Sequence, residues 1–208
     1  LTQKLGDLGK KIHTARSRND QVLVSIHLYL KKEISEIKSL IDDFFKLLIS
    51  LAKKNKDKLL PGYTHFQVAM PSSFGLWFSA YAESLIDDVT LFNAVQKIVD
   101  QNPLGSAAGF GSSFPINRET TTKALDFGDL KYNVIAAQMS RGKAEKLISN
   151  AIASLSATLA KMAYDICLYM GQDHNFISFP EKLTTGSSIM PHKKNPDVFE
   201  LIRGKGNM

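Results

Sequence analysis

Cysteine, arginine and long apolar runs are scarce in this chain of 208 residues. Its one cysteine, Cys167, cannot form a disulfide within the chain, which favours a reducing, cytoplasmic setting. The apolar run at residues 47–52 ends at two lysines, far short of the roughly eighteen residues that a membrane span requires. We therefore predict a cytoplasmic protein that does not enter a membrane.

The charge of the chain does not indicate a nucleic-acid partner. The net charge is +6, but residues 1–104 and residues 105–208 each contribute +3, so neither half is strongly basic. Only 5 of the 26 basic residues are arginine, the side chain that favours bidentate phosphate contacts and base recognition. Clusters of cysteine and histidine with metal-ligand spacing are also lacking. The composition favours a globular protein that binds neither nucleic acid nor metal.

Apolar residues recur at helical spacing over three long segments of the chain. They predict helices at about residues 19–55, 72–100 and 143–170. No alternating pattern is long enough for a sheet, so the predicted fold class is all-α, a bundle of long helices. One chain of this length cannot cover such long apolar stripes, so we expect partner helices from further sequence, from other subunits, or from both.

Four connections rich in glycine, proline and polar residues are the candidate functional segments. They are residues 13–21, 61–71, 102–119 and 184–197. The last one combines Gly186 and two serines with Lys193 and Asn195. It is either a polar surface loop in which Asn195 or Asp197 caps the next helix, or a glycine-hinged loop that closes over an anion.

The other connections also allow both a structural and a functional interpretation. His65 is either a structural loop residue or an acid or base, the latter if a carboxylate such as Glu200 holds its second ring nitrogen. The two arginines at residues 15–21 exceed what a helix N-terminus capped by Ser17, Asn19 or Asp20 needs, and they match carboxylates. Residues 102–113, which we call the glycine loop, lack the Lys-Ser/Thr ending of a P-loop, so only close backbone approach or anion contact through amides is predicted.

Three motifs, in this order along the chain, resemble the fumarase/aspartase superfamily and, within it, the argininosuccinate lyases. They are Ser17-Arg18-Asn19-Asp20-Gln21, Gly62-Tyr63-Thr64-His65, and Gly186-Ser187-Ser188-Ile189-Met190-Pro191 followed by Lys193-Lys194-Asn195-Pro196-Asp197. The third motif resembles the superfamily signature, and the other two, with residues 193–197, resemble argininosuccinate lyases in particular. The resemblance covers essentially the whole chain.

The resemblance implies the central long-helix bundle of that superfamily. Residues 1–18 would then be the end of an N-terminal domain, and residues 19–208 a central domain that is incomplete at its C-terminal side. Family chains are considerably longer, so we expect this chain to be part of a longer one. Four subunits would pool their long helices into a homotetramer, with each active site built from three subunits.

The resemblance also implies cleavage of argininosuccinate to L-arginine and fumarate, a step of arginine biosynthesis, without a metal or organic cofactor. Ser187 and His65 would be the acid/base pair, with Glu200 orienting His65, and we favour Ser187 as the base. The residues implied to bind the substrate are Arg18, Asn19, Thr64, Gln67, Ser188, Lys193 and Asn195.

Two sequence differences from the usual argininosuccinate lyase motifs, and the existence of a structural homologue, leave other functions open. His192 stands where many argininosuccinate lyases have glutamine, and histidine there resembles adenylosuccinate lyases, so that sister activity is one alternative. Residues 140–143 differ from the more usual Ser-x-Arg-Asp, so Arg141 receives no role. Lens delta-crystallins share the scaffold, so a catalytically silent structural homologue is the other alternative.

Overall fold

Three long helices dominate the structure, a computed structural model that describes residues 1–206. They are α3 (Arg18–Lys54), α4 (Phe74–Val99) and α7 (Lys143–Met170). Each begins and ends within about two residues of its predicted bounds, so the all-α fold class is confirmed. The shorter helices are α1 (Thr2–Leu5), α2 (Asp7–Lys11), α5 (Arg118–Ala124), α6 (Val134–Met139) and α8 (Asp197–Lys205).

Within residues 1–206, three two-stranded sheets lie in connections that were expected to be loops. Strand β1 (Leu59–Thr64) pairs antiparallel with β2 (Gln67–Ser73), β3 (Gln101–Asn102) pairs parallel with β4 (Asp129–Leu130), and β5 (Thr185–Ser187) pairs antiparallel with β6 (Met190–Asn195). Strands β2 and β6 are almost entirely exposed. Because neither has a buried face, the sequence carries no apolar alternation that would have predicted them.

The described chain forms two compact units, and each long helix contributes a segment to both. Unit 1 contains residues 1–39 and 90–149, and unit 2 contains residues 40–89 and the chain from residue 150 onward. Leu23, Phe92 and Val99 are among the fully buried residues of unit 1, and Leu48 and Leu85 are among those of unit 2. Each such side chain contributes about 1.5–3 kcal/mol by leaving water. The domain boundary expected at residue 18 stays a prediction.

Helices α4 and α7 are joined in unit 2 by hydrogen bonds to two carboxylates, one buried and one half-buried. Asp88 of α4 is 3% exposed and accepts hydrogen bonds from Ser154 Oγ at 2.7 Å and Thr158 Oγ1 at 2.8 Å. Asp165 of α7 accepts hydrogen bonds from the side chains of two residues on α4. The donors are Trp77 Nε1 at 2.9 Å and Tyr81 Oη at 2.6 Å. Burial and this hydrogen bond raise the pKa of Tyr81, so it remains a donor.

Helix α7 is long and apolar enough, by length and composition, to cross a membrane, although the sequence analysis found no such segment. A single helix of this kind is weak evidence, because the core helix of a bundle passes the same test. Its Ser154, Thr158 and Asp165 are hydrogen-bonded to α4, as in a helix packed against protein. The absence of a membrane partner stays a prediction.

Candidate active site

The first candidate site residue, His65, lies at the tip of the β1–β2 hairpin. His65 and Phe66 form its two-residue turn with φ of 52° and 59°, the left-handed values of a type I′ turn. Thr64 and Gln67 face each other as the last strand pair before the turn. The side chains of Thr64, His65 and Gln67 are exposed. The hairpin therefore presents all three predicted residues to the solvent in this chain.

An aromatic cluster that was not predicted from the sequence packs against the strand β1 of this hairpin. The ring of Tyr63, two residues before His65, lies 5.6 Å from that of His174 and 6.4 Å from that of Phe176. Tyr169 of α7 packs on Phe176 at 5.7 Å and on Trp77 of α4 at 5.6 Å. Both helices therefore support the strand that leads to His65. Helical spacing locates Tyr169 on α7, but nothing in the sequence places His174 beside Tyr63.

The superfamily-like motif forms the β5–β6 hairpin, which we call the signature hairpin (residues 185–195). Ser187 is half-buried, whereas Ser188 and Lys193 are exposed. Asn195 is half-buried, and its Nδ2 donates to Thr185 Oγ1 at 3.4 Å. The hairpin is thus closed at its base and open at its serines and Lys193, the arrangement needed to receive an anionic group.

The capping role that the structural interpretation of this segment gave to Asn195 or Asp197 is wrong. The N-cap of α8 is Pro196, and no side chain caps the helix. The Asp197 carboxylate instead accepts a hydrogen bond from Thr185 Oγ1, on the opposite strand at the base of the hairpin. Asn195 is likewise turned toward Thr185. The hairpin's own closure uses both polar groups that could have capped the helix.

Glu200 is exposed on the first turn of α8. Burial, and then the negative charge of Glu200, raise the pKa of Cys167 on α7. Among the hydrogen bonds of residues 1–206, none joins Glu200 to His65 or His65 to Ser187. The described chain alone does not assemble the three residues predicted to be catalytic.

Arg18 and Asn19 lie in the first turn of α3, in unit 1. Ser17 Oγ accepts the amide of Asn19 at 3.2 Å, and Asp20 Oδ1 accepts the amide of Ser17 at 2.9 Å. This reciprocal arrangement is a capping box with aspartate in the place of glutamate, so Ser17 is the cap. Arg18 is exposed and Asn19 half-buried, and neither side chain donates a hydrogen bond to the described chain. Capping by Ser17 and Asp20 leaves both side chains available to a ligand.

The glycine loop does contact an anion through its amides, and that anion belongs to the chain itself. The amides of Gly105 and Ala107 donate to Asp20 Oδ2 at 3.0 and 3.1 Å. A Cβ at Gly105 would lie 2.8 Å from Arg118 Cγ, so the close backbone approach predicted here requires glycine. Gln138 Nε2 donates to the carbonyl of Ala107 at 3.2 Å. Sequence reasoning assigned no role to Arg118 or Gln138, because their contacts are distant along the chain.

Comparison with known proteins defines the class. The family model described as "Lyase" matches residues 1–207, and the chain belongs to this family. An argininosuccinate lyase of Parabacteroides distasonis is 59% identical over 207 residues, which are 100% of this chain and 46% of that protein. The resemblance to argininosuccinate lyases is thereby confirmed. The chain spans about half the length of the curated relatives that it matches.

Solved structures with the same fold are also lyases. The crystal structure of an EDDS lyase in complex with formate superposes with a TM-score of 0.94 at 25% identity, covering 99% of this chain and 41% of that one. A fumarate lyase/delta-crystallin from Brucella melitensis gives a TM-score of 0.85 at 20% identity, covering 99% and 46%. The second similarity concerns the fold alone. Together they place the long-helix bundle among the folds of the fumarase/aspartase superfamily.

Proposed function

We propose that the protein is an argininosuccinate lyase, a carbon–nitrogen lyase that cleaves argininosuccinate to L-arginine and fumarate in arginine biosynthesis. The observation that carries the proposal is the 59% identity to a curated argininosuccinate lyase over 207 residues, which include all three motifs. The structure supports it because each motif presents polar side chains at an accessible hairpin or helix start. Argininosuccinate is the small-molecule substrate in this proposal.

The proposed chemistry requires a site for a doubly charged intermediate. A base first removes the proton from the carbon beside a carboxylate, and the electron pair left behind makes that carboxylate a doubly charged aci form. That pair then forms the double bond of fumarate as the carbon–nitrogen bond breaks, and the departing nitrogen takes up a proton. Lys193 supplies a cation, and Asn195 with the backbone amides of the signature hairpin supplies neutral donors. Ser187 takes the carbon proton in this proposal, and His65 donates a proton to the departing guanidino nitrogen. Thr64, Gln67 and Ser188, with Arg18 and Asn19 from α3, hold the substrate.

The proposed protein is a cytoplasmic homotetramer with sites shared between subunits. The long helices carry exposed apolar side chains, which suits burial against helices of other subunits. Among the largest are Tyr29, Leu40 and Leu47 on α3, Leu76 on α4, and Ile152 on α7. Shared sites would also supply partners from neighbouring subunits to His65, Ser187 and Glu200, which no hydrogen bond joins within residues 1–206.

An assay of fumarate release tests the proposal. The full-length protein in which this chain occurs is given argininosuccinate, and the ultraviolet absorbance of fumarate is followed. Adenylosuccinate is tested in parallel, because His192 leaves that sister substrate as the alternative. Release from argininosuccinate alone is the expected result. Release from adenylosuccinate alone would reassign the substrate, and release from neither would favour a catalytically silent homologue.

A further inference from the structure

We infer that Asp20 is a positioning residue for substrate binding, because its carboxylate fixes the first turn of α3 to the glycine loop. The inference rests on the proposed function, in which Arg18 and Asn19 of that turn hold the substrate. Asp20 is 0% exposed and therefore does not touch the substrate itself. It acts through its two neighbours in the chain.

Both carboxylate oxygens of Asp20 are engaged, and each holds a different element. Oδ1 accepts the amide of Ser17, the cap of α3, while Oδ2 accepts the amides of Gly105 and Ala107 in the glycine loop. Ser17 Oγ in turn accepts the amide of Asn19. The backbone of the Arg18–Asn19 turn is therefore fixed to a loop more than eighty residues further along the chain.

The glycine loop is itself fixed from other directions, so it is a firm support for Asp20. Arg118 Nε donates to the carbonyl of Leu104 at 2.9 Å, and its two terminal nitrogens donate to the carbonyls of residues 131 and 132. Gln138 Nε2 donates to Ser106 Oγ at 2.8 Å. Arg118 also supplies a positive charge that attracts Asp20. A buried carboxylate with three amide donors and a nearby cation has one stable orientation.

The test replaces Asp20 by asparagine, which has the same shape but turns one acceptor oxygen into a donor. That donor would face a backbone N–H, so either the turn or the loop is released. We expect KM for argininosuccinate to rise about tenfold or more while kcat falls only about two- to threefold, because binding residues act on substrate and transition state alike. Amide hydrogen exchange at residues 17–21 and 105–107 should increase as well.

Asp88→Asn is the matched control. Asp88 is also a buried aspartate with short hydrogen bonds, but its donors are Ser154 and Thr158, on α7 and outside all three motifs. We expect this variant to lower the unfolding temperature and to leave KM within about twofold of the original value. A KM change of less than about twofold in Asp20→Asn, or an equal rise in Asp88→Asn, would overturn the inference.

If Asp20→Asn does not fold, the variant Gln138→Ala tests whether the glycine loop positions the Arg18–Asn19 turn. It loosens the opposite side of the glycine loop and leaves Asp20 intact, so KM should rise about three- to fivefold. An unchanged KM in this variant would then count against the inference. Failure of the proposed function is distinguishable from failure of this inference. If the proposed function is wrong, the wild-type protein releases no fumarate from argininosuccinate. Hydrogen exchange in Asp20→Asn still shows whether Asp20 holds the Arg18–Asn19 turn and the glycine loop together.

Discussion

The glycine loop (residues 102–113) and the signature hairpin (residues 185–195) both contain glycine and adjacent serines, but residues 102–106 of the first are buried whereas the second is mostly exposed. In the glycine loop, Asn102 and Ser106 are fully buried and hydrogen-bonded. In the signature hairpin, Ser188 and Lys193 are exposed, and the side-chain bonds that close it lie at its base. The first segment is held by contacts within the chain, and the second leaves polar side chains accessible, as the proposed closure over a substrate requires.

Composition alone does not separate a structural loop from a functional one. Both segments suggest anion binding, since amides, hydroxyls and glycines gather in each. In the glycine loop the chain supplies the anion itself, the carboxylate of Asp20. In the signature hairpin the polar groups near Ser187 and Lys193 remain accessible. The two segments therefore differ in how many of their donors are already used within the chain, and the accessible polar groups of the signature hairpin support the substrate contacts proposed for it.

The largest expected effect distinguishes a serine of each segment. Ser187→Ala should lower kcat by about 10²- to 10⁴-fold, because the proposed base is lost. Ser106→Ala is the control: it removes the acceptor of Gln138, so it should lower the unfolding temperature and change kcat little. Steady-state kinetics and thermal unfolding of both variants check this. Near-normal turnover by Ser187→Ala would remove that serine from the mechanism.

A second effect of similar or smaller size concerns the β1–β2 hairpin, which resembles the signature hairpin in its exposure. His65→Asn should lower kcat by about 10²-fold, since asparagine accepts the left-handed turn conformation but cannot transfer protons at neutral pH. Phe66→Asn is the control. It places asparagine at the adjacent turn position, where φ is also positive, and should retain most of kcat because the imidazole of His65 is still present. Equal losses in the two variants would mean that turn geometry, rather than the imidazole, matters.

The third prediction compares the stability that an asparagine contributes in each segment. Asn102 is fully buried, donates to Thr121 and Thr122, and accepts the amide of Leu104. Asn102→Ala should lower the free energy of unfolding by about 1–3 kcal/mol, because buried partners lose their bonds. Asn195→Ala should cost less than about 1 kcal/mol, since its bond to Thr185 is long and exposed. Denaturant unfolding measures both, and similar losses would contradict the comparison.

The long helices could be predicted from the sequence because their apolar periodicity is a local signal. Ile34, Ile41 and Leu48, seven residues apart on α3, all belong to the predicted stripe and are all buried. The exposed strands gave no such signal, because pairing of the two short strands of each ribbon is set by hydrogen bonds and turn conformation. A type I′ turn at His65-Phe66, with neither glycine nor asparagine, is not a sequence that indicates a hairpin.

The sequence suggests candidate site residues where a motif is contiguous, but it does not indicate contacts between residues far apart along the chain. Asn19, His65 and Ser187 were predicted from their neighbours in the sequence, and their roles stay predictions. The contact of Asp20 with Gly105, or of Tyr63 with His174, joins residues about 85 and 110 positions apart, and no local pattern encodes either one. The capping interpretation at Asn195 and Asp197 failed for the same reason, because a local propensity lost to hydrogen bonds that close the hairpin.

The last prediction, with the weakest effect, is that the local stability of the segment leading into the glycine loop depends on pH. His27 is buried on α3, and its Nδ1 donates to the carbonyl of Val99, three residues before Asn102. Burial lowers the pKa of His27 below 6.5, against weaker opposing effects that include the charge of Glu145; Lys131 lowers it slightly further. The unfolded chain therefore binds a proton that the folded chain does not, and stability is lost as the pH falls below 6.5 toward the lowered pKa.

The measurement that checks this effect is amide hydrogen exchange at about pH 5 and about pH 7.5, corrected for the intrinsic exchange rate. Exchange at low pH should increase more around residues 99–107 than in the signature hairpin. The free energy of opening derived from it should fall by at most about 1.4 kcal/mol per pH unit. His27→Asn keeps a donor near the Nδ1 position but cannot be protonated, so the pH dependence around residues 99–107 should largely disappear. If it persists in that variant, another group loosens this support, and the fixed state of the glycine loop does not depend on the neutral form of His27.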